Sequence, residues 1–301
     1  MKKRVLISGA LGHMGRTIAA TMTEGEWDLV PAVGVDLMTG DFPGQLFSSA
    51  EAVDAPFDVA IDFSRPEAAM AVLELCLREK KPLVVGTTGL DEAQKERLQA
   101  ASKLIPVFYA RNMSLGVNLQ LSLVKAATKV LGDAFDPEIV EIHHNKKVDA
   151  PSGTALMLAE QIESARSGES ELIFGRHETN KRRTKDEIGI HSLRGGNMVG
   201  EHAVHFLGTD EEIIITHRAT SKRVFAIGAL RAATWILDQN RAYIPWRISF
   251  KHRISIHSDY AAFFLEKSRQ KSFHDFKAFS RLYFVLSGCS VCHCLVRSAG
   301  V

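Results

Sequence analysis

The 301-residue sequence has little cysteine and no long apolar run. Only Cys76 precedes residue 289, which excludes a disulfide framework for most of the chain and favours a reducing compartment. No window approaches the roughly 18 to 20 apolar residues that cross a bilayer, and the apolar part of MKKRVLISGA is too short for a signal peptide. We therefore expect a cytoplasmic protein with no membrane partner.

The sequence also lacks a dense basic stripe over its first 240 residues. These carry 27 Lys and Arg against 32 Asp and Glu, whereas residues 241–301 carry 10 against 3. A mildly acidic body gives no electrostatic footprint for nucleic acid, so no nucleic-acid partner is predicted. The overall balance of 46% hydrophobic and 24% charged residues is typical of a globular protein.

Short apolar runs alternate with helical patterns along the first third of the chain. This alternation predicts a parallel, doubly wound sheet, and we assign residues 1–112 to a Rossmann-like dinucleotide-binding domain. Residues 113–225 change to a long helix, a charged loop region and alternating segments of antiparallel character. The predicted class is therefore α/β, with a second, smaller α+β domain for substrate binding and oligomerisation. A helix over 226–240 is expected to return to the first domain.

A glycine pattern follows the first strand. Gly9, Gly12 and Gly15 fit a variant of the dinucleotide fingerprint, in which the backbone approaches a pyrophosphate at a helix start. Asp36 ends the next strand, where an acid accepts hydrogen bonds from ribose hydroxyls. The residue after it is Leu37, so a 2′-phosphate would find no adjacent cation, and NADH is expected to be preferred over NADPH. An ordinary tight turn is the alternative interpretation.

Two further segments, residues 86–88 and 110–113, follow predicted strands and so lie at the edge where such sheets bind ligands. The predicted cofactor-binding residues are those of the glycine turn, Asp36 and these two segments: Gly9, Ala10, Leu11, Gly12, His13, Met14, Asp36, Gly86, Thr87, Thr88, Ala110, Arg111, Asn112 and Met113.

The densest polar cluster runs from residue 141 to 155, EIHHNKKVDAPSGTA. Ser152, Gly153 and Thr154 open a helix whose free N–H groups could bind a carboxylate, although Ser152 could be only a cap. His143 can exchange protons near neutral pH, and Lys147 can act as a cation or a general acid. These two residues can act together only if the chain turns between them.

Several other groups favour structural interpretations. Cys76 lies in an apolar helix, and the basic segment 181–185 suggests a solvated loop that could also steer a dianion. We predict no metal site. Four residues near the end are too tightly spaced to bind one metal ion tetrahedrally: Cys289, Cys292, His293 and Cys294. Three histidines on alternating strands lack the spacing of metal ligands: His202, His205 and His217.

The chain resembles the dihydrodipicolinate reductase family over about residues 3 to 237. The segments GALGHMGR, DFSRPE, VGTTG, ARNMSLGVN, HHNKKVDAPSGTA and VGEHAVHF stand in the family's order and spacing. The resemblance implies hydride delivery from NAD(P)H to a cyclic dicarboxylate, 4-hydroxy-tetrahydrodipicolinate, in lysine biosynthesis, by a cytoplasmic homotetramer. It implies that His143 is a proton donor and acceptor, that Lys147 is a proton donor, and that His144, Gly153 and Thr154 bind substrate.

The resemblance ends near Asp238. Family members finish with a short segment that returns to the cofactor domain, and residues 241–301 of this chain instead form a basic, aromatic-rich tail without a periodic pattern. We expect this tail to be poorly ordered. A non-catalytic NAD-binding sensor, or a product inactivated by its altered C-terminus, is the alternative to an enzyme. A second enzymatic alternative is an amino-acid dehydrogenase of similar two-domain build.

Overall fold

A computed structural model describes residues 1–177 and 180–239, together with the backbone of 243–245. The strands are β1 (Lys3–Ser8), β2 (Leu29–Val35), β3 (Gln45–Phe47), β4 (Val59–Asp62), β5 (Leu83–Val85), β6 (Val107–Tyr109), β7 (Asp136–His143), β8 (Glu171–Phe174), β9 (Glu187–Arg194), β10 (Gly200–Leu207), β11 (Glu212–Ala219) and β12 (Tyr243–Pro245). The helices are α1 (His13–Glu24), α2 (Pro66–Glu79), α3 (Glu92–Ala101), α4 (Leu115–Leu131), α5 (Gly153–Glu163) and α6 (Arg223–Ile236). No helix within the described part of the chain is both long and apolar enough to span a membrane.

The first sheet is parallel, with strand order β12-β6-β5-β4-β1-β2-β3. Its strands are short and apolar because both faces are covered, one by α1 and α6 and the other by α2 and α3. The strand order reverses between β1 and β4, which leaves a crevice at their carboxyl ends. The expected Rossmann-like sheet is thereby confirmed.

The second sheet is mixed, with strand order β11-β10-β7-β9-β8. β10 is antiparallel to β7 and β11, while β9 is parallel to β7 and β8. Alternate residues of β7 are buried, so one face of the sheet packs on α4 and α5 around Ile139, Val204 and Phe206. The smaller α+β part of the predicted fold is confirmed, with mixed strand directions rather than antiparallel ones.

Helix α6 returns to the first sheet after the second sheet is complete. Its small residues pack against α1, and Arg223 pairs with Glu24 at 3.0 Å. Gly228 lies so close to the chain leaving β6 that a Cβ there would be 1.7 Å from the carbonyl oxygen of Met113. The close approach therefore depends on glycine.

The expected charged loop region was wrong in part, because it contains β8 and β9. The basic segment 181–185 itself lies before β9 in a largely exposed loop, as predicted, and Lys181 and Arg183 there also pair with acidic residues. Helix α2 begins after Arg65 without a side-chain cap.

The expected loss of the returning segment was also wrong. β12 lies within the predicted tail and pairs in parallel with β6. The remaining predictions for the tail, including the cysteine knuckle, concern positions outside the described residues.

Substituting Gly228 with Ala should destabilise the protein. The added methyl group collides with backbone, so we expect a loss of about 2 to 3 kcal/mol in the free energy of unfolding. Urea unfolding at fixed protein concentration measures it. Arg231→Ala, on the exposed face of the same helix, should change stability by less than about 0.5 kcal/mol, and equal effects of the two substitutions would contradict the proposed contact.

Candidate active site

The glycine turn between β1 and α1 is closed too tightly for side chains. Gly9 has a φ of +72°, which favours glycine, and a Cβ on Gly15 would lie 2.1 Å from the carbonyl oxygen of Gly9. The N–H of Gly12 donates to that oxygen at 3.1 Å. Helix α1 starts without a side-chain cap and without an acidic residue in its first turn. This helix start can therefore bind an anion.

Asp36 lies beside the glycine turn, at the end of β2. Its carboxylate accepts from the N–H of Leu11 at 2.8 Å and from the N–H of Met38 at 3.0 Å. Leu37 is 88% exposed, so it projects away from the protein. The Arg16 side chain donates to the carbonyl of Leu11 and extends toward the loop after Asp36. Asp36 is thus held at a fixed position where its outer lone pairs can meet a ligand.

The ends of β4 and β5 carry a buried carboxyl group that the sequence interpretation missed. Asp62 accepts from the hydroxyls of Ser64 and Thr87, each at 2.5 Å, and the N–H of Ser64 donates to Thr87 Oγ1. Burial raises the pKa of Asp62 although both hydroxyls oppose the shift. The sequence signal that could have identified this group is an acidic residue at the last position of an apolar strand, directly before a turn.

Phe63 connects three of the predicted cofactor segments. A Cβ on Gly9 would lie 2.4 Å from its carbonyl oxygen, and a Cβ on Gly86 would lie 2.4 Å from its ring. Glycine at both positions lets the loops after β1, β4 and β5 approach one another. The predicted residues Gly9–Met14, Asp36 and Gly86–Thr88 consequently share the carboxyl edge of the sheet.

The segment 110–113 links this edge to the second sheet. The Asn112 amide donates to Thr154 Oγ1 at 3.0 Å, and its oxygen accepts from the N–H of Ser114. The Arg111 side chain forms a two-bonded ion pair with Glu160 of α5. Asn112 therefore brings a predicted cofactor segment into contact with the predicted substrate-binding helix start.

The end of β7 supplies a hydrogen-bonded acid and imidazole. Glu141 and His143 lie on the same buried face of the strand, two residues apart, and Glu141 Oε2 pairs with His143 Nδ1. Glu141 Oε1 accepts from the N–H of Ser152 at 3.2 Å and from Arg194 at 2.7 Å. Burial raises the pKa of Glu141, but the bonds from His143 and Arg194 outweigh it and leave the pKa below its ordinary value.

His202 is a further member of this cluster. It pairs across the strands with Glu141, its ring lies edge-on to His143 with centroids 5.0 Å apart, and its Nε2 shares a hydrogen bond of 3.0 Å with Ser152 Oγ. The sequence interpretation treated it as an ordinary core or surface histidine. It is buried, but its neighbours are the candidate site residues.

After His143 the chain turns, as joint action with Lys147 requires. The N–H of Lys147 donates to the carbonyl of His144 at 3.1 Å, and its ammonium group pairs with Asp149 at 2.7 Å. The half-buried His144 has an Nδ1 without a partner in the described structure. Burial lowers the pKa of His144, and the positive charges of Lys222 and Lys147 add to the effect.

Helix α5 begins beside this turn. Ser152 is its cap, since its hydroxyl accepts from the N–H of Ala155 at 3.2 Å. A Cβ on Gly153 would meet no atom within 4 Å, so the space in front of the helix start is open. Capping and anion binding are compatible here, because the cap uses the N–H of Ala155 and leaves those of Gly153 and Thr154.

Glu141, His143 and His202 also place potential metal ligands within 4.8 Å of one another. However, Arg194, His143 and Ser152 already donate to both oxygens of Glu141, and a cation would have to overcome the charge of Arg194. The arrangement fits a hydrogen-bonded acid–base cluster better than a metal centre.

The buried His202 should make stability pH-dependent. Burial lowers its pKa to about 3, and the neighbouring His143 adds to the effect, whereas an unfolded chain protonates histidine near pH 6.5. Stability is therefore lost as the pH falls from 6.5 toward 3, by up to about 1.4 kcal/mol per pH unit from this group. Urea unfolding between about pH 6 and pH 5 should show a smaller slope in His202→Gln. His205→Gln, on the same strand, is the control, and an unchanged slope in His202→Gln would refute the assignment.

The sequence matches two family models end to end across the two sheets. Residues 3–113 match the N-terminus of dihydrodipicolinate reductase, and residues 116–245 match its C-terminus. The second match ends with β12, so this strand belongs to the shared part of the fold.

Curated relatives and a solved structure agree with these matches. A 4-hydroxy-tetrahydrodipicolinate reductase from Caldanaerobacter subterraneus subsp. tengcongensis is 45% identical over 79% of this chain and 94% of its own length. One from Clostridium botulinum is 40% identical over 77% of this chain and 92% of its own length. A dipicolinate-bound dihydrodipicolinate reductase from Paenisporosarcina sp. TG-14 superposes with a TM-score of 0.67 at 23% identity, covering 81% of this chain and 98% of that one. The chain belongs to the dihydrodipicolinate reductase family.

Proposed function

We propose that the protein is a 4-hydroxy-tetrahydrodipicolinate reductase, which delivers a hydride from a nicotinamide dinucleotide to its substrate in lysine and diaminopimelate biosynthesis. The observation that carries the proposal is the Asn112–Thr154 hydrogen bond. It joins the carboxyl edge of the parallel sheet, where a dinucleotide binds in such folds, to the helix start beside His143. Relatives at least 40% identical carry this name.

The proposed cofactor site follows the sheet edge. The start of α1 receives the pyrophosphate, and Asp36 accepts from the ribose hydroxyls. Gly86–Thr88 and Ala110–Met113 lie further along the edge, where the nicotinamide end would reach. The bound cofactor supplies the hydride. The chain's own contribution is to hold the cofactor there through backbone N–H groups and one fixed carboxylate.

The proposed substrate site is the start of α5 with its neighbouring cations. The free N–H groups of Gly153 and Thr154 bind one carboxylate of the substrate, and the open space at Gly153 admits it. His144 lies near Lys147 and Lys222, so a second carboxylate is attracted to the same region. The substrate class is a small cyclic dicarboxylate.

Removing a hydroxyl group by hydride addition consumes one hydride and one proton and releases water. His143 and Lys147 are the groups that move this proton. His143 lies at the end of β7 with Nδ1 fixed by Glu141, whose other oxygen accepts from the N–H of Ser152 at the start of α5. Lys147 lies in the turn that joins β7 to this helix start.

The second sheet is the surface through which we propose that the protein forms a homotetramer in the cytoplasm. The face opposite α4 and α5 includes Leu193 and Ile214, whose residue exposures are 47% and 49%. Exposed apolar side chains on an open sheet face favour association with a second copy. The buried, unpaired Cys76 is compatible with a reducing compartment.

The proposal is tested by mixing the purified full-length protein with NADH, with and without 4-hydroxy-tetrahydrodipicolinate. NADH should be oxidised only in the presence of substrate. Lys147→Ala should lower kcat by about 100-fold or more because a proton donor is lost, while NADH affinity stays within about threefold. Lys146→Ala, an exposed neighbour, is the control. Folded protein that binds NADH without turnover would refute the proposal.

We propose that NADH is preferred over NADPH. The carboxylate of Asp36 repels a 2′-phosphate, and Leu37 offers it no charge. Arg16 extends toward the same loop and provides a positive charge nearby, so the preference should be moderate.

Leu37→Arg tests this preference at a position whose side chain is almost fully exposed. The substitution should raise kcat/KM for NADPH by about tenfold through a direct ion pair with the 2′-phosphate, leaving kcat/KM for NADH within about threefold. Leu37→Gln controls for loss of the leucine. Equal kcat/KM for both cofactors in the unchanged protein would contradict the preference.

A further inference from the structure

We infer that Glu141 is a positioning residue for proton transfer by His143, an inference that rests on the proposed function. The carboxylate fixes which nitrogen of the imidazole faces the substrate, and with its second oxygen it holds the start of the substrate-binding helix. One buried side chain would therefore set the geometry of both groups.

Glu141 determines the tautomer of the His143 imidazole. An ionised carboxylate can only accept hydrogen bonds, so the contact between Glu141 Oε2 and His143 Nδ1 places a proton on Nδ1. In neutral His143 the lone pair then belongs to Nε2. This nitrogen lies beside Gly200, where a Cβ would be 2.9 Å away, so the lack of a side chain keeps β10 from covering it. Nε2 is consequently the atom available for proton exchange.

Glu141 also holds the start of α5. Glu141 Oε1 accepts from the N–H of Ser152 and from Arg194, whose guanidinium also donates to the carbonyl of Asp149 at 2.7 Å. These bonds tie the loop after His143 to the cap of α5. Without the carboxylate charge, the distance between His143 and the N–H groups of Gly153 and Thr154 would no longer be fixed.

Glu141 is also the negative charge in contact with the His143 ring. The groups facing His143 from the surrounding elements are basic: His202 from β10, Arg194 from β9, and His144 and Lys147 from the loop that follows it. Glu141 is fully buried and in direct contact with the ring, so its negative charge offsets these positive charges at the imidazole.

Glu141→Gln separates positioning from structural support. The amide keeps the shape and an oxygen for Ser152 and Arg194, but its NH₂ group would donate to His143 Nδ1 and move the ring proton to Nε2. We expect kcat to fall by about 100-fold with NADH binding unchanged, and the acidic titration of kcat/KM to move down by about one pH unit. Glu141→Asp, which restores the charge, should return that midpoint toward the original value.

A readout independent of turnover is the nitrogen NMR spectrum of the full-length protein with labelled histidine, with the His143 signal assigned from its loss in His143→Gln. The neutral ring should carry its proton on Nδ1 in the original protein and on Nε2 in Glu141→Gln. Glu138→Gln removes a carboxylate from the opposite face of β7, which pairs with Arg176, Arg183 and His191, and should change neither the His143 signal nor the pH profile.

The outcomes are distinguishable. An unchanged tautomer and an unchanged pH midpoint in Glu141→Gln would overturn the inference, even if that variant were less stable. Absence of turnover in the original protein would refute the proposed function, while the NMR comparison would still decide the role of Glu141.

Discussion

The second half of this molecule is organised around the need to satisfy one buried negative charge. A carboxylate removed from water costs several kcal/mol unless donors surround it. Glu141 obtains those donors from its own strand, from β9 and from the cap of α5, through His143, Arg194 and Ser152. Meeting that requirement brings three distant parts of the sequence to one point, and the polar site is built there.

The dinucleotide-binding part and the substrate-binding part of the chain each offer a helix start to an anion. Helices α1 and α5 each begin at the end of a buried strand or the turn after it, and each presents unpaired N–H groups with the positive end of its dipole. The segment around Asn112 lies between these helix starts and bonds to the second of them. A ligand that carries a pyrophosphate and a ligand that carries carboxylates can therefore bind next to each other on a single chain.

The sequence predicted what local patterns determine. Apolar runs ending in Gly9, Asp36 and Gly86 indicated the strands of the first sheet and their shared edge, because the alternation with helices is visible over short windows. β9 was missed, since its sequence, EIGIHSLR, follows a basic segment and its ends are polar. His202 was missed for another reason. Its place in the site depends on its register with Glu141, a pairing between residues far apart in sequence.

The hydrogen bond between Asn112 and Thr154 also decides whether the Thr154 hydroxyl group acts as a donor or an acceptor toward a ligand. Thr154 Oγ1 accepts a hydrogen bond from the Asn112 amide, so its own hydrogen is left to be donated elsewhere. A residue at the exit of the first sheet thereby orients a donor at the start of α5. Replacing Thr154 by valine would keep the packing volume but leave the amide of Asn112 without its acceptor. The change would therefore disturb both Asn112, at the exit of the first sheet, and the start of α5.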